Sequence, residues 1–432
     1  MRAIEKNIIK IIDQEEPEII DFVRLLIQYP SINEPPNGRE AACQELIRKK
    51  LKELELEVDF FTPNEVEGIR GHPAFAPHGG SGPERKYDDR PNVIGVWKGK
   101  HDGRGIILNG HIDVFPVISV KDWTHDPWAA DIQNGEIYGR GAVDMKGGLG
   151  AMLMAIYCLK EVGIKPMGDV IFESVVDEEF GGGNGTLATI LRGYKADVAI
   201  VGEPSGLSIC PAGYGGFLFD VEVKGRNAHP FFKKQGQNAI EKGIKIVNAL
   251  IKLEKSRSQV ARKAPLFTGY DPSSPIMIRS FNTGELTGGG LATTCIIRAW
   301  AATIPEEKRE DVLTQFIGII QDTVKDDPWL LQNPPEITCL GRYLEPWKTD
   351  SNDPIIGILK STIKDVTFKK ARLTAGLTCD AFLFKKYAKI PCIIIGPGSA
   401  ISAHNNDESI LIEELISATK IYALTILKWC GY

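Results

Sequence analysis

A histidine and an aspartate stand where an apolar run of the sequence ends. The run Ile106-Ile107-Leu108 continues into Asn109-Gly110-His111-Ile112-Asp113 and is typical of a buried strand. Residues two apart on an extended chain point to the same side, so we expect the Asp113 carboxylate to accept the proton of one ring nitrogen of His111. The other nitrogen is then available to a metal ion, and the pattern indicates a metal ligand.

A second predicted strand runs through Ile137-Tyr138 into Gly139-Arg140-Gly141, and Asp144 follows just before an apolar helix predicted over residues 149–159. We expect these two strand ends to bring His111 and Asp144 to one rim of a sheet. The alternative is that His111 caps a strand and Asp144 caps a helix, with no metal. These two residues alone do not decide between the two hypotheses.

Further possible ligands follow three more apolar runs, namely Glu178 and Glu179, then Glu203, and far downstream His404. Open α/β sheets gather their ligands at such strand ends. Neighbours in an extended segment point opposite ways, so one glutamate of the pair is predicted to bind a metal and the other to face what the metal holds. A solvated acidic turn is the alternative. Two histidines and three carboxylates suit two zinc-like ions that share one carboxylate.

Length and composition limit what this rim belongs to. A chain of 432 residues is longer than one hydrophobic core usually accommodates, so two domains are expected. The net charge of -5 gives no basic surface for nucleic acid or an acidic membrane. Eight cysteines without C-x-x-C spacing indicate buried thiols in a reducing compartment. With no N-terminal signal and no apolar run judged long enough to span a bilayer, the sequence predicts a soluble cytoplasmic protein.

The remaining chain alternates between helical and strand patterns, which predicts the α/β class. Helices are predicted over residues 3–28, 40–54 and 410–427. Between residues 62 and 91 the chain is rich in glycine, proline and charge. A loop of this length is either disordered or functional.

Five motifs, in unchanged order, resemble those of the M20 metallopeptidases. That group includes acetylornithine deacetylases, succinyl-diaminopimelate desuccinylases, aminoacylases and carboxypeptidase G. The resemblance runs from Ser31 to the end of the chain. The motifs are His111-Ile112-Asp113, Gly139-Arg140-Gly141 through Asp144-Met145-Lys146-Gly147, Asp177-Glu178-Glu179, Gly202-Glu203-Pro204 and His404-Asn405-Asn406-Asp407-Glu408.

The resemblance implies a role for each matched residue and two divalent metal ions as cofactors, zinc in the first place and cobalt as the other choice. Asp144 would bridge the ions, with His111 and Glu203 completing one site and Glu179 and His404 the other. Asp113 would orient His111. Glu178 would be the general base that accepts a proton from water and hands it to the leaving amine.

The family fold is a mixed-sheet α/β/α catalytic domain with an inserted, smaller α+β lid that dimerises. Here the resemblance places the catalytic domain at residues 1–212 and 342–432 and the lid at residues 213–341. His229, in the lid motif Ala228-His229-Pro230, matches a histidine that reaches the neighbouring subunit's site as an oxyanion donor. A simple turn histidine is the alternative.

The chain departs from the family in how a substrate carboxylate would be bound. Relatives carry an arginine three residues before the proline of a Pro-x-Glu motif, whereas Ala302 stands three before Pro305. Arg298, four residues earlier on the same predicted strand, and Arg372 are the substitute candidates for substrate binding.

Three functions remain open at this point. The first is a dinuclear metal amidohydrolase, similar to acetylornithine deacetylase, that removes an acyl group from the nitrogen of an amino acid or similar small amine. The second is a dipeptidase or carboxypeptidase of the same family. The third is a non-catalytic binding protein on this scaffold. The expected partners are a small acylated amino acid or short peptide and a second copy of the chain, with no nucleic acid and no membrane.

Overall fold

The computed structural model describes residues 1–80, 82–100, 102–181, 183–283 and 290–432. The chain divides into two compact units. The larger unit contains Met1–Ala212 and Lys348–Tyr432, and the smaller unit contains Gly213–Trp347. The second boundary therefore lies six residues beyond the predicted one at 341/342, because the last strand of the smaller unit continues to Leu344.

Helices and strands are numbered along the chain. The helices are α1 (Ala3–Gln14), α2 (Glu16–Gln28), α3 (Ala41–Glu53), α4 (Gly147–Glu161), α5 (Asn184–Arg192), α6 (Ala239–Ala261), α7 (Arg309–Lys325), α8 (Pro328–Gln332), α9 (Pro354–Thr367), α10 (Ala381–Leu383) and α11 (Ile412–Cys430). The strands are β1 (Asn33–Glu34), β2 (Asn37–Gly38), β3 (Glu57–Phe61), β4 (Asn92–Trp97), β5 (Ile106–His111), β6 (Ile132–Gln133), β7 (Glu136–Tyr138), β8 (Val170–Val175), β9 (Val198–Val201), β10 (Ile209–Gly213), β11 (Gly215–Lys224), β12 (Ile276–Asn282), β13 (Thr294–Thr303), β14 (Glu336–Leu344), β15 (Trp347–Lys348), β16 (Leu373–Gly376), β17 (Cys392–Ile394) and β18 (Ser409–Leu411).

The main sheet of the larger unit has nine strands among the described residues, in the order β15-β10-β17-β9-β5-β8-β4-β3 with β16 beside β10. Its centre is parallel, since β5 pairs in parallel with both β8 and β9, and β9 pairs in parallel with β17. The flanking β4 and β10 are antiparallel to their neighbours. The mixed α/β class predicted from the sequence is confirmed.

Helix α4 lies at the core of this unit. Almost every side chain along it is buried, and it packs against α1, α2 and α11. A helix that is apolar all round needs such an environment. The stretch Ala142–Glu161 is long and apolar enough to cross a bilayer, contrary to the expectation that no run would be, but 89% of an 18-residue apolar window within it is buried. Its composition is therefore that of a core helix.

The strand that precedes Asp144 does not belong to the main sheet. Strand β7 pairs with β6 and β18 in a separate antiparallel sheet. The expectation that a strand of the ligand-gathering sheet delivers Asp144 is therefore wrong. Asp144 lies instead in an irregular turn, residues 142–146, immediately before α4.

The smaller unit is a four-stranded antiparallel sheet in the order β12-β13-β11-β14, with helices on one face. Alternate residues of β11 and β13, such as Phe219 and Ile297, pack with Phe316 of α7 in its core. The sequence pattern predicts strands over residues 215–225, 293–303 and 336–341 and helices over residues 238–253 and 306–323, and these correspond to β11, β13, β14, α6 and α7. The sequence analysis missed edge strand β12 and the short helix α8.

Candidate active site

Three neighbouring parallel strands deliver polar residues to the same edge of the main sheet. His111 is the last residue of β5, Glu178 and Glu179 follow β8, and Glu203 follows β9. Asn109 of β5 pairs with Glu173 of β8, which fixes the register of the two ends. The carboxyl ends of parallel strands meet at one edge, as the sequence analysis expected.

Asp144 and Glu203 lie beside His111. The Nε2 atom of His111 is 3.1 Å from Asp144 Oδ1 and 3.6 Å from Glu203 Oε1. These three residues form the first group whose ligand atoms all lie within 4.8 Å of one another. Close backbone packing permits this, because a Cβ on Gly148 of α4 would lie 2.1 Å from the Gly202 carbonyl oxygen.

His404 and Glu179 lie on the other side of Asp144 and form the second group with it. His404 Nε2 is 3.3 Å from Asp144 Oδ2 and 2.7 Å from Glu179 Oε2. Asp144 therefore turns one carboxylate oxygen toward each histidine. Its carboxylate is shared between the two groups.

The two groups fit divalent metal ions. Metal–nitrogen and metal–oxygen bonds of zinc place neighbouring tetrahedral ligand atoms about 3.4 Å apart. The separations of Asp144 from the two histidines, 3.1 and 3.3 Å, and of His111 from Glu203, 3.6 Å, lie near that value. Imidazole and carboxylate are also ligands that zinc and cobalt accept.

Charges in the cluster are strongly coupled. Burial disfavours the charged form of His111, but its contact with Asp144 and the charges of Glu203 and Glu178 raise its pKa well above the ordinary value. The pKa of His404 rises to about 10, since contacts with Asp144 and Glu179 outweigh burial. Two imidazoles face four carboxylates here, and this excess of negative charge favours cations.

Glu178 lies in the cluster but outside both groups. Its Oε2 atom is 3.9 Å from His111 Nε2, and its side chain is 16% exposed. Burial raises the pKa of Glu178 well above its ordinary value, and the neighbouring charge of Glu203 adds to this. A carboxylate that is poised to accept a proton beside a ligand cluster suits a general base.

The orientation of His111 differs from the prediction. Its Nδ1 atom contacts the backbone carbonyl oxygen of Asp113 at 2.8 Å, whereas the nearer carboxylate oxygen of Asp113 is 3.7 Å away. The Asp113 carboxylate instead accepts the backbone N–H groups of Glu178 and Glu179, at 3.0 and 3.1 Å, and the side-chain amide of Asn33. Asp113 therefore holds both the histidine and the glutamate pair in place.

Phe115 contacts the second group in two ways that the sequence analysis missed. Its backbone N–H donates to Glu179 Oε1 at 2.9 Å. Its ring stacks on His404, with ring centroids 4.5 Å apart, and on Phe180. The sequence signal that could have placed Phe115 near the site is its position two residues after Asp113.

The sequence analysis also missed a buried cluster behind the glutamate pair. Asp177 accepts the Tyr87 hydroxyl at 2.5 Å and Arg85 Nε at 3.2 Å, and Arg90 lies 3.6 Å away. Tyr87 and both arginines belong to the long loop over residues 62–91, and all three are buried. These three residues pack the end of the loop against the turn that carries the glutamate pair.

The two arginines proposed to bind substrate, Arg298 and Arg372, both have side-chain partners in their own units. Arg372 belongs to the larger unit, is exposed and donates to Ser208 Oγ at 3.2 Å. Arg298 belongs to the smaller unit, where both oxygens of Asp220 pair with it at 2.8 Å. Ala302 is buried in the same strand, four residues or about 13 Å from Arg298. Arg298 is thus a paired sheet residue that does not replace the arginine missing at position 302.

His229 is exposed in the smaller unit. It caps the turn Pro230–Gln235, where its Nδ1 atom accepts the backbone N–H of Phe231 at 3.3 Å. His229 therefore does lie at a turn, as the alternative hypothesis of a simple turn histidine expected. A neutral imidazole whose Nδ1 accepts carries its proton on Nε2, so the ring has a donor to offer elsewhere.

Known proteins match both the fold and the chain. The sequence model of Peptidase family M20/M25/M40 matches residues 107–428. The N-formyl-4-amino-5-aminomethyl-2-methylpyrimidine deformylase of Halalkalibacterium halodurans is 29% identical over 449 residues, which is 99% of this chain and 98% of the relative. The succinyl-diaminopimelate desuccinylase of Polynucleobacter necessarius is 26% identical over 407 residues, or 90% of this chain and 94% of the relative. The structure of human carnosine dipeptidase 1 superposes with a TM-score of 0.74 at 15% identity, over 100% of both chains.

The fold and the cluster of carboxylates and imidazoles thus define a metal-dependent hydrolase of amide or peptide bonds. The chain belongs to Peptidase family M20/M25/M40, and the resemblance inferred from the five motifs is confirmed.

Proposed function

We propose that this protein is a dinuclear metal-dependent deacylase that removes a small acyl group from the nitrogen of a small amine. The observation that carries the proposal is the shared Asp144 carboxylate, which turns one oxygen to His111 and the other to His404. His111, Asp144 and Glu203 would hold one ion. Asp144, Glu179 and His404 would hold the other, with zinc as the first choice and cobalt as the second.

When bound, two such ions polarise the scissile carbonyl and make water easier to deprotonate. Glu178 accepts the proton from the attacking water and delivers it to the leaving amine. Its raised pKa suits both steps, because it makes the carboxylate a stronger base, and because a carboxyl group with an ordinary pKa is ionised near neutral pH and has little protonated form to donate. Asp113 keeps Glu178 in position by accepting its backbone N–H.

The expected oxyanion donor is His229, supplied by a second copy of the chain through the smaller unit as a dimerising lid. The contact of its Nδ1 with the Phe231 N–H leaves the proton on Nε2 in the neutral ring. A donor of this kind stabilises the charge that develops on the carbonyl oxygen in the transition state.

Position 302 lacks the arginine that would bind a substrate carboxylate. This favours an amine without a carboxylate over an amino acid such as acetylornithine. Ala302 is buried and has no charge, and Arg298 is already paired with Asp220. The deformylase relative is named for a formylated aminomethylpyrimidine, whose named substituents include no carboxylate. We therefore place an N-formyl or similarly short N-acyl aminomethyl heterocycle first among substrates. Arg372 is the remaining candidate for binding a carboxylate.

We also propose that the protein acts in the cytoplasm. All eight cysteines lie in described residues and are free, and seven of them are buried. Free buried thiols are typical of a reducing compartment.

Amine release from a panel of substrates tests this proposal. The panel holds N-formylaminomethylpyrimidine, N-acetylornithine, N-succinylated amino acids and dipeptides, with zinc- or cobalt-loaded protein and Glu178→Gln as the inactive control. We expect turnover of the formylated pyrimidine, at least tenfold above any carboxylate-bearing substrate in kcat/KM. Preference for acetylornithine would contradict the substrate class, and cleavage of dipeptides alone would establish the peptidase instead. Binding without turnover across the panel would favour the non-catalytic protein.

A further inference from the structure

A buried ion pair joins the turn that carries Asp144 to the segment that carries His404. Arg140 Nη1 donates to Glu408 Oε2 at 2.5 Å, and both side chains are at most 3% exposed. The second guanidinium nitrogen, Nη2, donates to the backbone carbonyl of His404 at 3.3 Å. Arg140 and His404 are 264 residues apart in sequence.

The other oxygen of the same carboxylate fixes the turn before α4. Glu408 Oε1 accepts the backbone N–H groups of Val143 and Asp144, at 3.0 and 3.1 Å. N–H groups at the start of a helical segment have no partner within the segment. Asp144 itself departs from helical geometry, with φ −123° and ψ 92°, so this turn depends on an outside acceptor for its shape.

The backbone reinforces this connection. The N–H of Gly139 donates to the carbonyl of Glu408 at 2.8 Å. The next residues in each direction, Tyr138 and Ser409, face each other in the antiparallel pair of β7 and β18. Arg140 and Glu408 are thus placed side by side between two ligand segments.

A buried ion pair is weak evidence for stability, since apolar side chains of similar volume often serve equally well. Its geometry is more informative here. Four side-chain hydrogen bonds of the pair join the two residues to each other, to the backbone N–H groups of Val143 and Asp144, and to the backbone carbonyl of His404.

We propose that Arg140 and Glu408 are positioning residues that set the spacing between Asp144 and His404, and thereby the affinity of the ion held by Asp144, Glu179 and His404. This inference rests on the proposed dinuclear centre. It assigns a purpose to two motif residues that neither bind the ions nor touch substrate in the proposed mechanism.

Metal binding by the full-length protein tests the proposal. The variants are Glu408→Gln, which keeps one acceptor oxygen and removes the charge, and Arg140→Lys, which keeps the charge and loses the second donor. The matched control is Glu307→Gln, which breaks the Arg257–Glu307 pair (2.9 Å) in the smaller unit. Calorimetric titration with Co²⁺, metal content after dialysis and thermal unfolding are measured for each protein.

We expect two ions per chain for the wild type and for the control. In both site variants one ion should bind as in the wild type, while the other binds about 10- to 100-fold more weakly, as is found when residues that orient ligands are replaced. The weakened ion is identified in a His404→Ala background, where adding Glu408→Gln should cause no further loss. The double variant Arg140→Lys/Glu408→Gln should be no weaker than the weaker single variant, because the two residues act as a unit.

Three results would overturn the proposal. Unchanged affinity for both ions, even with a lower unfolding temperature, would show a purely structural ion pair. Equal weakening of both ions would show that the pair does not act on the spacing to His404. A wild type that binds fewer than two ions would overturn the pair's role together with the dinuclear centre. A wild type that binds two ions but hydrolyses nothing in the panel would contradict the proposed function and leave the role of the pair standing.

Discussion

Glu178 and Glu179 are neighbours in sequence and face different partners in space. Glu179 lies 2.7 Å from His404 Nε2, whereas Glu178 lies 3.9 Å from His111 Nε2 and belongs to neither three-residue group. The backbone N–H groups of both donate to the same Asp113 oxygen. The Asp113 carboxylate therefore fixes the backbone of both glutamates, whose side chains have different partners.

Replacing each glutamate by glutamine separates the two roles. We expect Glu178→Gln to keep both ions and to lower kcat by about 10²- to 10⁴-fold, because the proton acceptor is lost. We expect Glu179→Gln to lose the ion on the His404 side. Metal content by mass spectrometry and steady-state kinetics measure both effects. Equal metal loss in the two variants would show that the roles have been assigned wrongly.

Glu173 is a fully buried carboxyl group in the middle of β8, away from the proposed ligands. Oε2 accepts from Asn109 and Thr189, and Oε1 has no hydrogen-bond partner among the described residues. Both contacting side chains are neutral, and burial raises the pKa of Glu173 from 4.5 to about 7. The folded state therefore favours the protonated form.

The pH dependence of stability tests this assignment. Since the folded pKa exceeds the unfolded one, the contribution of Glu173 is fully present below pH 4.5 and is lost as the pH rises through 7. The loss amounts to about 3 kcal/mol. We expect Glu173→Gln to unfold at a higher temperature than the wild type at pH 8, with the gain shrinking toward pH 5. A difference that stays constant from pH 5 to pH 8 would contradict the assignment.

The sequence predicted which residues meet at the site better than it predicted how they touch. Residue types and strand ends pointed to His111, Glu203 and one of the pair Glu178 and Glu179, and the family resemblance assigned the ligand role within the pair to Glu179. The orientation of His111 depends on a backbone carbonyl, and side-chain spacing carries no information about that contact. The stacking of Phe115 on His404 joins the two chain segments of the larger unit. The position of Phe115 two residues after Asp113 places it near the site, but it does not predict this long-range contact.

At the scale of elements, the loop over residues 62–91 has the most unexpected structure. Its composition left disorder and function equally open, yet Arg85, Tyr87 and Arg90 are buried around Asp177. Asp177 has a left-handed backbone, with φ 68°, which is uncommon for a residue with a side chain. The loop therefore holds the turn from which Glu178 and Glu179 project.

Tyr87→Phe tests this connection by removing one hydroxyl group. We expect a loss of about 1–3 kcal/mol in the free energy of unfolding, because the buried Asp177 loses a donor. We also expect a several-fold lower kcat, because the glutamate pair is less well held. Chemical denaturation and kinetics measure the two effects.

Tyr194→Phe is the matched control, since it removes a similar hydroxyl contact, to Asp59 at 2.7 Å, just after the C-terminal end of α5. Its kcat should equal that of the wild type. Equal kcat in both tyrosine variants would show that the loop contributes to stability only.

Apolar runs predicted the parallel strands because these strands are buried on both faces and are almost continuously hydrophobic. Edge strand β12 was missed because the apolar run in Ile276–Asn282 is only three residues long, and Ile276 is the one buried residue of this strand. The order of the strands in the sheet could not be predicted from the sequence either. The pairing of β9 with β17 joins residues nearly two hundred positions apart, and hydrophobic pattern does not encode such a partnership.

At the scale of the whole molecule, the proposed site draws on two units and two copies of the chain. The proposed ligands all belong to the larger unit, whereas His229 belongs to the smaller one. If His229 acts on the neighbouring subunit, a variant of His229 and a variant of Glu178 are defective in different halves of a shared site.

Mixing inactive subunits tests this arrangement. We expect His229→Ala to bind both ions and to lose turnover, and the wild type to sediment as a dimer. Glu178→Gln and His229→Ala, mixed in equal amounts and allowed to exchange, should recover about a quarter of wild-type activity, because half of the dimers contain one intact site of two. No recovery from a mixture shown to exchange would contradict action across the dimer.

The interval between His111 and His404 also determines when this cluster can exist. A ribosome that has made residues 1–212 has delivered His111, Asp144, Glu179 and Glu203, but it must still make the whole smaller unit before His404 appears. The emerging polypeptide can therefore offer one complete group, His111, Asp144 and Glu203, long before the other. If two ions bind as proposed, the ion held by Asp144, Glu179 and His404 joins the late segment of the polypeptide to its early one.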